Sequence, residues 1–168
     1  DIGDAENTAN SSARRTDTMM LINYNPRTDA INLVSIPRDT LIEVENAHDG
    51  NGNLIPYWKM NAAYVLGGEK EVIQQVESLL SIKVNYLVEI DYAAFRNLID
   101  AIGGVEMYID RNMYYDDDAQ DLHIHFNAGE TVLLDGKKAE EFFRWRKNND
   151  GTGLAEGDIG RIKNQQAF

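Results

Sequence analysis

The order of the apolar segments constrains what this chain can fold into more than any other feature of its sequence. Short runs rich in strand-forming residues at 19–24 and 31–36 are joined by NPRTD, whose Pro and Asn suit a turn, and together they predict a β-hairpin. Segments of helical periodicity then alternate with further strand-like runs at 83–91, 105–110, 122–126 and 131–134. Strands interleaved with helices predict an α/β fold, and we expect a three-layer α-β-α sandwich with a mixed central sheet.

Apolar residues at helical spacing predict the helices of this fold. The first helix lies in NAAYVLGGEKEVIQQVESLLS, the second occupies YAAFRNLIDA and ends at a glycine pair, and the third runs from about Gly136 to Arg144. The side chains expected to face inward are Val72, Ile73, Val76, Leu79 and Leu80 in the first helix, and Phe95, Leu98, Ile99 and Ile102 in the second.

Size and charge limit the class of protein. A chain of 168 residues, 43% of them hydrophobic, is long enough to bury one core, so we expect a single domain over residues 1–168. The formal net charge of −12 argues against general nucleic-acid binding, because a phosphate backbone would meet net repulsion. A local basic pocket remains compatible with that charge, since distant charges are screened beyond about 8 Å at physiological salt.

The common catalytic motifs are missing from the sequence. It contains no P-loop, no GxGxxG, no GxSxG and no HExxH, and without cysteine it offers no thiol nucleophile. His123 and His125 of HIH would share one face of a strand, which suits a metal. A pair of histidines without a third ligand is more often an ordinary exposed polar pair.

Arginines and aspartates stand at the ends of the predicted elements. They occur in RRTD before the first strand, IPRDT after the second, RWRK after the third helix and DIGRIKNQQ near the end of the chain. Ligands of α/β sheets gather at such positions, and the guanidinium fork matches phosphate oxygens, which favours a pyrophosphate site. The alternative, given equal weight for any one arginine, is a surface ion pair worth about 0–1 kcal/mol.

Six segments, taken together and in order, resemble the LytR-CpsA-Psr family of Gram-positive cell-envelope enzymes. The segments are RTDTMMLINYNP, INLVSIPRDT, KMNAAYVLGG, AFRNLIDAIGGVEMYID, LHIHFNAGETVLLDGKKAEEFFRWR and GDIGRIKNQQ. The resemblance implies a membrane-anchored extracellular transferase. Such an enzyme takes a glycopolymer, for example teichoic acid or capsular polysaccharide, from a polyprenyl-pyrophosphate carrier and joins it to peptidoglycan through a phosphodiester.

The resemblance also assigns roles to residues of this chain. A Mg²⁺ ion would be held by Asp1 and Asp17, and the proton acceptor is left open between Asp39 and Asp158. Catalytic roles fall on Arg38, Asp158 and Arg161. The residues implied to bind the pyrophosphate are Arg15, Arg38, Lys138, Arg144, Arg146, Arg161 and Gln165.

Two departures from the family pattern stand out. Lys138 takes a place where some members have another arginine, which exchanges a bidentate fork for a point charge. The segment KNNDGTGLAEG, residues 147–157, is longer than usual and predicts a different lid loop.

Other functions stay open at this point. A pyrophosphatase or phosphatase would share the anion site and use water as acceptor, and a non-catalytic envelope regulator would bind the lipid phosphate only. We expect a single-pass membrane anchor and part of the first strand to precede residue 1, with the domain outside the cell. An apolar tunnel for the lipid is expected beside Val72, Val76, Leu98 and Ile102. Ordinary core residues have the same helical spacing, and the spacing taken alone favours that alternative.

Overall fold

The computed structural model describes residues 16, 18–45, 47–48, 51–154 and 157–168, and for Asp158 it describes the backbone alone. Its contacts group the chain into two compact units, the N-terminal unit Asp1–Glu89 and the C-terminal unit Ile90–Phe168. That residues 1–168 act as one domain stays a prediction.

The N-terminal unit begins with the predicted hairpin. Strand β1 (Met19–Asn25) pairs antiparallel with β2 (Ala30–Ile36), with Met19 opposite Ile36. The turn closes through a hydrogen bond from the N–H of Thr28 to the carbonyl of Asn25 (3.3 Å). A second antiparallel pair follows, formed by β3 (Leu41–Glu43) and β4 (Tyr57–Lys59).

Helix α1 (Ala63–Leu80) continues from a short 3₁₀ helix at Met60–Ala62 and is interrupted at Gly67 and Gly68. The interruption needs glycine, because Gly68 has a φ of 67°. Beyond it, the predicted apolar face is confirmed for Val72 and Val76, which join the core of this unit. The prediction is wrong for Leu79, which is 43% exposed near the end of the helix.

The strand predicted at 83–91 does not form, so that prediction is wrong. Strand-forming residues are present, but no described residue pairs with the segment in a β-ladder. Tyr86 and Val88 are accordingly 89% and 77% exposed. Strand propensity alone does not make a strand, because the backbone N–H and C=O groups need a neighbouring strand to pair with, and the local sequence does not show whether one is present.

The C-terminal unit has one α-helix, then four strands, and then two α-helices. Strand β5 pairs antiparallel with β8, and β6 pairs antiparallel with β7. The sequence predicts all of these elements except strand β6 and the last helix, α4. Their bounds are α2 (Tyr92–Ala101), β5 (Val105–Tyr108), β6 (Met113–Asp117), β7 (Leu122–Phe126), β8 (Thr131–Leu134), α3 (Gly136–Arg144) and α4 (Asp158–Ala167).

The described residues thus form a mixed α/β fold with four α-helices and four two-stranded antiparallel sheets. The core of the C-terminal unit surrounds Trp145, which is 1% exposed. On α2 only part of the predicted apolar face is buried: Ile99 lies in this core and Phe95 packs against it. Leu98 and Ile102 are 52% and 62% exposed, so their predicted inward orientation is wrong. They flank the stripe of α2 that the core contacts.

No helix in the described ranges is long and apolar enough to cross a membrane.

Candidate functional site

Helices α2 and α3 meet through three pairs of residues, one pair on each successive turn. Asp100 accepts a hydrogen bond from the N–H of Gly136 (2.7 Å), Arg96 is ion-paired with Glu140, and the guanidinium of Arg144 lies over the ring of Tyr92, 4.9 Å from its centre. Residues four apart lie on the same face of a helix. Positions 92, 96 and 100 of α2 therefore meet positions 144, 140 and 136 of α3, because the two helices run antiparallel. We call these six residues the helix ladder.

Gly136 sets the distance between the two helices of the ladder. A Cβ atom at this position would lie 2.4 Å from the carbonyl oxygen of Arg96, closer than real Cβ atoms approach backbone. Asp135 caps α3 by accepting a hydrogen bond from the N–H of Lys138 (2.9 Å), and Asp100 satisfies the N–H of Gly136. The start of α3 is therefore fixed in angle and in distance to α2.

Arg144 lies at the end of the ladder and is held on several sides. Its Nη1 donates to Oε1 of Glu140 (2.9 Å) and its Nη2 donates to Oε1 of Gln120 (2.8 Å), while Tyr92 lies under the guanidinium plane. The side chains of Arg144 and Glu140 are only 16% and 9% exposed. The guanidinium is thus oriented before any ligand arrives, and an anion would reach it beside a carboxylate.

Gln120 is itself oriented by the acidic segment that precedes it. Asp117 accepts from the N–H groups of Ala119 and Gln120, and its Oδ2 accepts from Nε2 of Gln120 (2.6 Å). That side-chain hydrogen bond lowers the pKa of Asp117. Because the amide nitrogen of Gln120 is bound there, its oxygen is directed toward Arg144.

Helix α4 brings Arg161 and Gln165 to the end of α3. Nε2 of Gln165 donates to the carbonyl of Phe143 (3.4 Å), and Arg161, one turn earlier, is 3% exposed. Phe168 fixes the helix by packing against the ring of Phe143 at 6.2 Å and against two further phenylalanines, Phe95 and Phe142. The two arginines therefore lie on packed helices rather than on loops.

A buried polar atom without a hydrogen-bond partner among the described residues lies on the same helix. Nδ2 of Asn164 is buried and has no hydrogen-bond acceptor among the described residues. A buried donor left unpaired costs about 1–3 kcal/mol, so it calls for an explanation such as a ligand.

The N-terminal unit carries a second group of polar residues where IPRDT meets KMN. The N–H of Asn61 donates to the carbonyl of Arg38 (2.9 Å), and the N–H of Thr16 donates to the carbonyl of Asn61 (3.3 Å). Nζ of Lys59 lies 2.8 Å from Oδ1 of Asp39, with 61% and 47% of the side chains exposed. The fold thus aligns three segments that lie far apart in the sequence.

The comparison with protein families decides the assignment of this chain. The model of the LytR-CpsA-Psr family matches residues 2–168. The chain belongs to the LytR-CpsA-Psr family.

The curated relatives of this chain include teichoic acid transferases. Proteins named polyisoprenyl-teichoic acid–peptidoglycan teichoic acid transferase TagU are 34% identical in Bacillus anthracis and 32% identical in Bacillus subtilis, each over 152 residues. The match covers 90% of this chain and 44% of each relative. The chain therefore spans less than half the length of the curated relatives it matches.

Solved structures of the same family share the fold. TagV of B. subtilis superposes with a TM-score of 0.71 at 28% identity, covering 91% of this chain and 54% of TagV. TagT bound to LI-WTA superposes with a TM-score of 0.66 at 26% identity, covering 91% of this chain and 55% of TagT.

Of the residues that the LytR-CpsA-Psr resemblance assigned, Gln165 of α4 contacts the end of α3 at Phe143, the residue before Arg144, and Arg161 lies one turn before Gln165. Arg146 follows two residues after Arg144 and is exposed. Lys138 is not grouped with them, because it lies six residues before Arg144 on α3, about 9 Å along the axis. Arg38 belongs to the N-terminal unit and is half-buried.

Several assigned residues lie outside the described residues. These are Asp1, Arg15 and Asp17, together with the side chain of Asp158. Within the described ranges, no group of three or more His, Asp or Glu side chains is arranged to hold a metal ion. The magnesium ligands therefore stay a prediction.

Both histidines of HIH are hydrogen-bonded to one carboxylate, that of Asp116. Nδ1 of His123 lies 2.9 Å from Oδ1 of Asp116, and Nε2 of His125 lies 3.0 Å from Oδ2 of the same residue. The hydrogen bond to Asp116 raises the pKa of His123, and the two histidines lower the pKa of Asp116, His125 more than His123.

Sequence reasoning missed the residues that orient the arginines. Glu140, Tyr92 and Gln120 carry no motif of their own, yet they contact Arg144, and Arg96 contacts Glu140. The i, i+4 series 92–96–100 and 136–140–144 is a signal that could have found all but Gln120.

Proposed function

We propose that this chain is the catalytic part of a phosphotransferase that moves a glycopolymer from a polyprenyl-pyrophosphate carrier to peptidoglycan. Membership of the LytR-CpsA-Psr family and the names of the TagU relatives support the reaction class. The three-layer sandwich with a mixed central sheet is part of the same proposal, as is a location at the outer face of the cell membrane, where the lipid carrier lies.

The observation that carries the proposal is the orientation of Arg144. Its guanidinium is fixed by Glu140, Gln120 and Tyr92 while Arg161 is buried one helix away. Phosphoryl transfer requires little covalent chemistry from the protein and depends on positioned positive charge. An anionic ligand beside α4 would also offer an acceptor to the unpaired Nδ2 of Asn164.

The N-terminal unit would supply Arg38 to the same chemistry. The hydrogen bond of its carbonyl with Asn61 fixes the backbone of IPRDT, so the side chain starts from a defined position. The Oγ1 atom of Thr16 is buried without a hydrogen-bond partner among the described residues, beside this segment.

A magnesium ion held by Asp1 and Asp17 completes the proposed site. Mg²⁺ takes one or two carboxylates together with substrate phosphates, and when bound it would neutralise phosphate charge. Thr16, the residue before Asp17, is hydrogen-bonded to Asn61, which in turn bonds Arg38, and this connection supports the assignment.

In the proposed reaction an acceptor hydroxyl of peptidoglycan attacks the phosphorus that bears the glycan. The new P–O bond makes the phosphodiester, the bond to the bridging oxygen breaks, and polyprenyl monophosphate leaves. Asp39 or Asp158 takes the hydroxyl proton. Arg38, Arg144, Arg146 and Arg161 bind the phosphate oxygens, with Arg15, Lys138 and Gln165 as further phosphate-binding residues.

Binding of a short-chain polyprenyl pyrophosphate tests this site. We expect Arg38→Lys to weaken binding about tenfold, because the loss of one charged hydrogen bond is worth roughly 1.5 kcal/mol or more. Arg27→Lys is the matched control in the exposed turn between β1 and β2 and should bind as the unchanged chain does. Equal affinity of both variants would remove Arg38 from the site.

A further inference from the structure

A pocket of about 510 Å³ lies in the C-terminal unit, and none of the residues assigned above lines it. Its lining comes from the turn Asp110–Asn112, from Tyr114 and Trp145, and from four residues of the following loop, Asn148, Asp150, Thr152 and Gly153. Pockets that hold small ligands have volumes of about 300–1,000 Å³, so this one has room for a sugar unit.

The loop wall of the pocket is built into the fold. Asn148 accepts from the N–H of Tyr114 (2.7 Å) and from Nε1 of Trp145 (3.2 Å). Asn149 accepts from the N–H of Asp116 (2.7 Å) and donates to its carbonyl (3.0 Å), as a neighbouring strand would. Asn148 and Asn149, of the long segment that predicted a different lid, are therefore docked on the edge of β6.

The polar atoms around the pocket are only partly used within the protein. Nε and Nη2 of Arg111 pair with the two carboxylate oxygens of Asp110, at 2.9 and 2.7 Å, and Nη1 takes no part in that pair. Oδ1 of Asp150 accepts from the N–H and Oγ1 of Thr152, which leaves Oδ2 outside these bonds. Oδ1 of Asn112 accepts from Ala128 and its Nδ2 does not take part in that bond.

The charge and the mixture of these groups select a class of ligand. Asp110, Arg111 and Asp150 sum to one net negative charge, which disfavours a phosphate. Donors and acceptors in alternation match hydroxyl groups, which both donate and accept. Tyr114 is 42% exposed and offers an aromatic surface for the apolar side of a sugar ring.

We propose that this pocket binds a neutral sugar unit of a glycan chain. If the transferase function holds, on which this identification rests, the chain is the peptidoglycan acceptor strand. Trp145 stands between Arg144 and Arg146 in extended backbone (φ −62°, ψ 135°), so its side chain and theirs leave the backbone in different directions. The pocket would then hold a sugar of the strand other than the one that reacts, and it would position the strand without contacting the transferred phosphate.

Titration of the chain with chitotetraose, a tetramer of β-1,4-linked N-acetylglucosamine, tests the pocket by NMR. We expect shifts at the backbone amides of 110–114 and 148–153, and about tenfold weaker binding for Arg111→Ala and for Asp150→Ala. Arg27→Ala is the control and should bind normally. Asp150→Ala removes hydrogen bonds within the loop. Arg111→Ala keeps the test valid if that loop unfolds, because the side-chain hydrogen bonds of Arg111 among the described residues go to Asp110 and not to the loop.

Failure of the pocket and failure of the transferase give different results. Absence of chitotetraose binding, or unchanged binding by Arg111→Ala, overturns the pocket whatever the chain catalyses. If the transferase function holds, Arg111→Ala should raise the KM for the acceptor about tenfold and leave hydrolysis of the donor by water unchanged. Equal loss of both reactions would show a structural role for Arg111 and would also overturn the proposal.

Discussion

Each unit of the molecule places a basic side chain against a carboxylate at nearly the same distance, yet the two pairs differ in their surroundings. Lys59 and Asp39 of the N-terminal unit are 2.8 Å apart with 61% and 47% of their side chains exposed. Arg144 and Glu140 of the C-terminal unit are 2.9 Å apart with 16% and 9% exposed. Water screens the first pair, whereas the second has exchanged water for protein partners, so burial rather than distance decides what each pair contributes.

The difference bears on function. A lysine in an exposed pair can leave its carboxylate at little cost, while a guanidinium bound to Glu140, Gln120 and Tyr92 keeps one orientation. The proposed phosphoryl transfer needs positioned charge, and the C-terminal unit positions Arg144 through Glu140, a carboxylate that belongs to no motif.

The largest expected effect is that of Glu140→Ala. It removes the carboxylate that Arg96 and Arg144 share and leaves two guanidinium groups unpaired, one of them mostly buried. We expect the free energy of unfolding in urea to fall by about 3 kcal/mol, the lower end for a broken buried pair because Arg96 is 41% exposed. A loss below about 1 kcal/mol would place this pair in the same class as Lys59–Asp39.

Gly136→Ala attacks the same ladder through the backbone. The added Cβ would lie 2.4 Å from the carbonyl oxygen of Arg96, so α2 and α3 must move apart. We expect a loss of about 1–3 kcal/mol in the free energy of unfolding, as for overpacked cores. Lys137→Ala, an exposed change at the next residue, should stay within about 0.5 kcal/mol. If both variants unfold alike, the close approach of the helices is not what supports the ladder.

Lys59→Met tests the exposed side of the comparison. It keeps most of the apolar stem and removes the charge that faces Asp39. The free energy of unfolding should change by at most about 1 kcal/mol, and the change should shrink as salt is added. An effect as large as that of Glu140→Ala, or one insensitive to salt, would contradict the contrast between the units.

The His123–Asp116 pair tests whether exposure, rather than the unit in which an ion pair lies, sets its contribution to stability. NMR titration should give a pKa for His123 above its usual value, and Asp116→Asn should lower it. Stability from the raised pKa of His123 is present below about pH 6.5 and lost as pH rises through the folded value. Stability from the lowered pKa of Asp116 is present above about pH 3.9 and lost in acid.

Replacement of His123 should therefore lower stability only within a limited range of pH. The difference in Tm between the unchanged chain and His123→Gln should be largest between about pH 4 and 6.5 and should vanish in alkali. A difference that does not depend on pH would mean that packing, and not the ion pair, is what the side chain contributes.

Local patterns in the sequence predicted the hairpin, the burial of Val72 and Val76, and the helices α2 and α3. They failed where the outcome depends on a partner: the segment 83–91 has strand-forming residues and no described partner strand, and Leu98 and Ile102 have helical spacing on a side the core does not contact. The same limit applies to the site. Motifs predicted Arg144, but Glu140 is recognised only when α2 and α3 are known to lie side by side.

The central claim, that a positioned arginine serves glycan transfer, is tested most directly by following a labelled glycan from a polyprenyl-pyrophosphate donor to peptidoglycan in the presence of magnesium. We expect the unchanged chain to form a phosphodiester-linked glycan on peptidoglycan and to release one polyprenyl monophosphate for each. Arg144→Lys should lower transfer at least tenfold, because lysine cannot reproduce the bidentate geometry. Release of the glycan to water alone, regardless of peptidoglycan, or full transfer by Arg144→Lys would contradict the account.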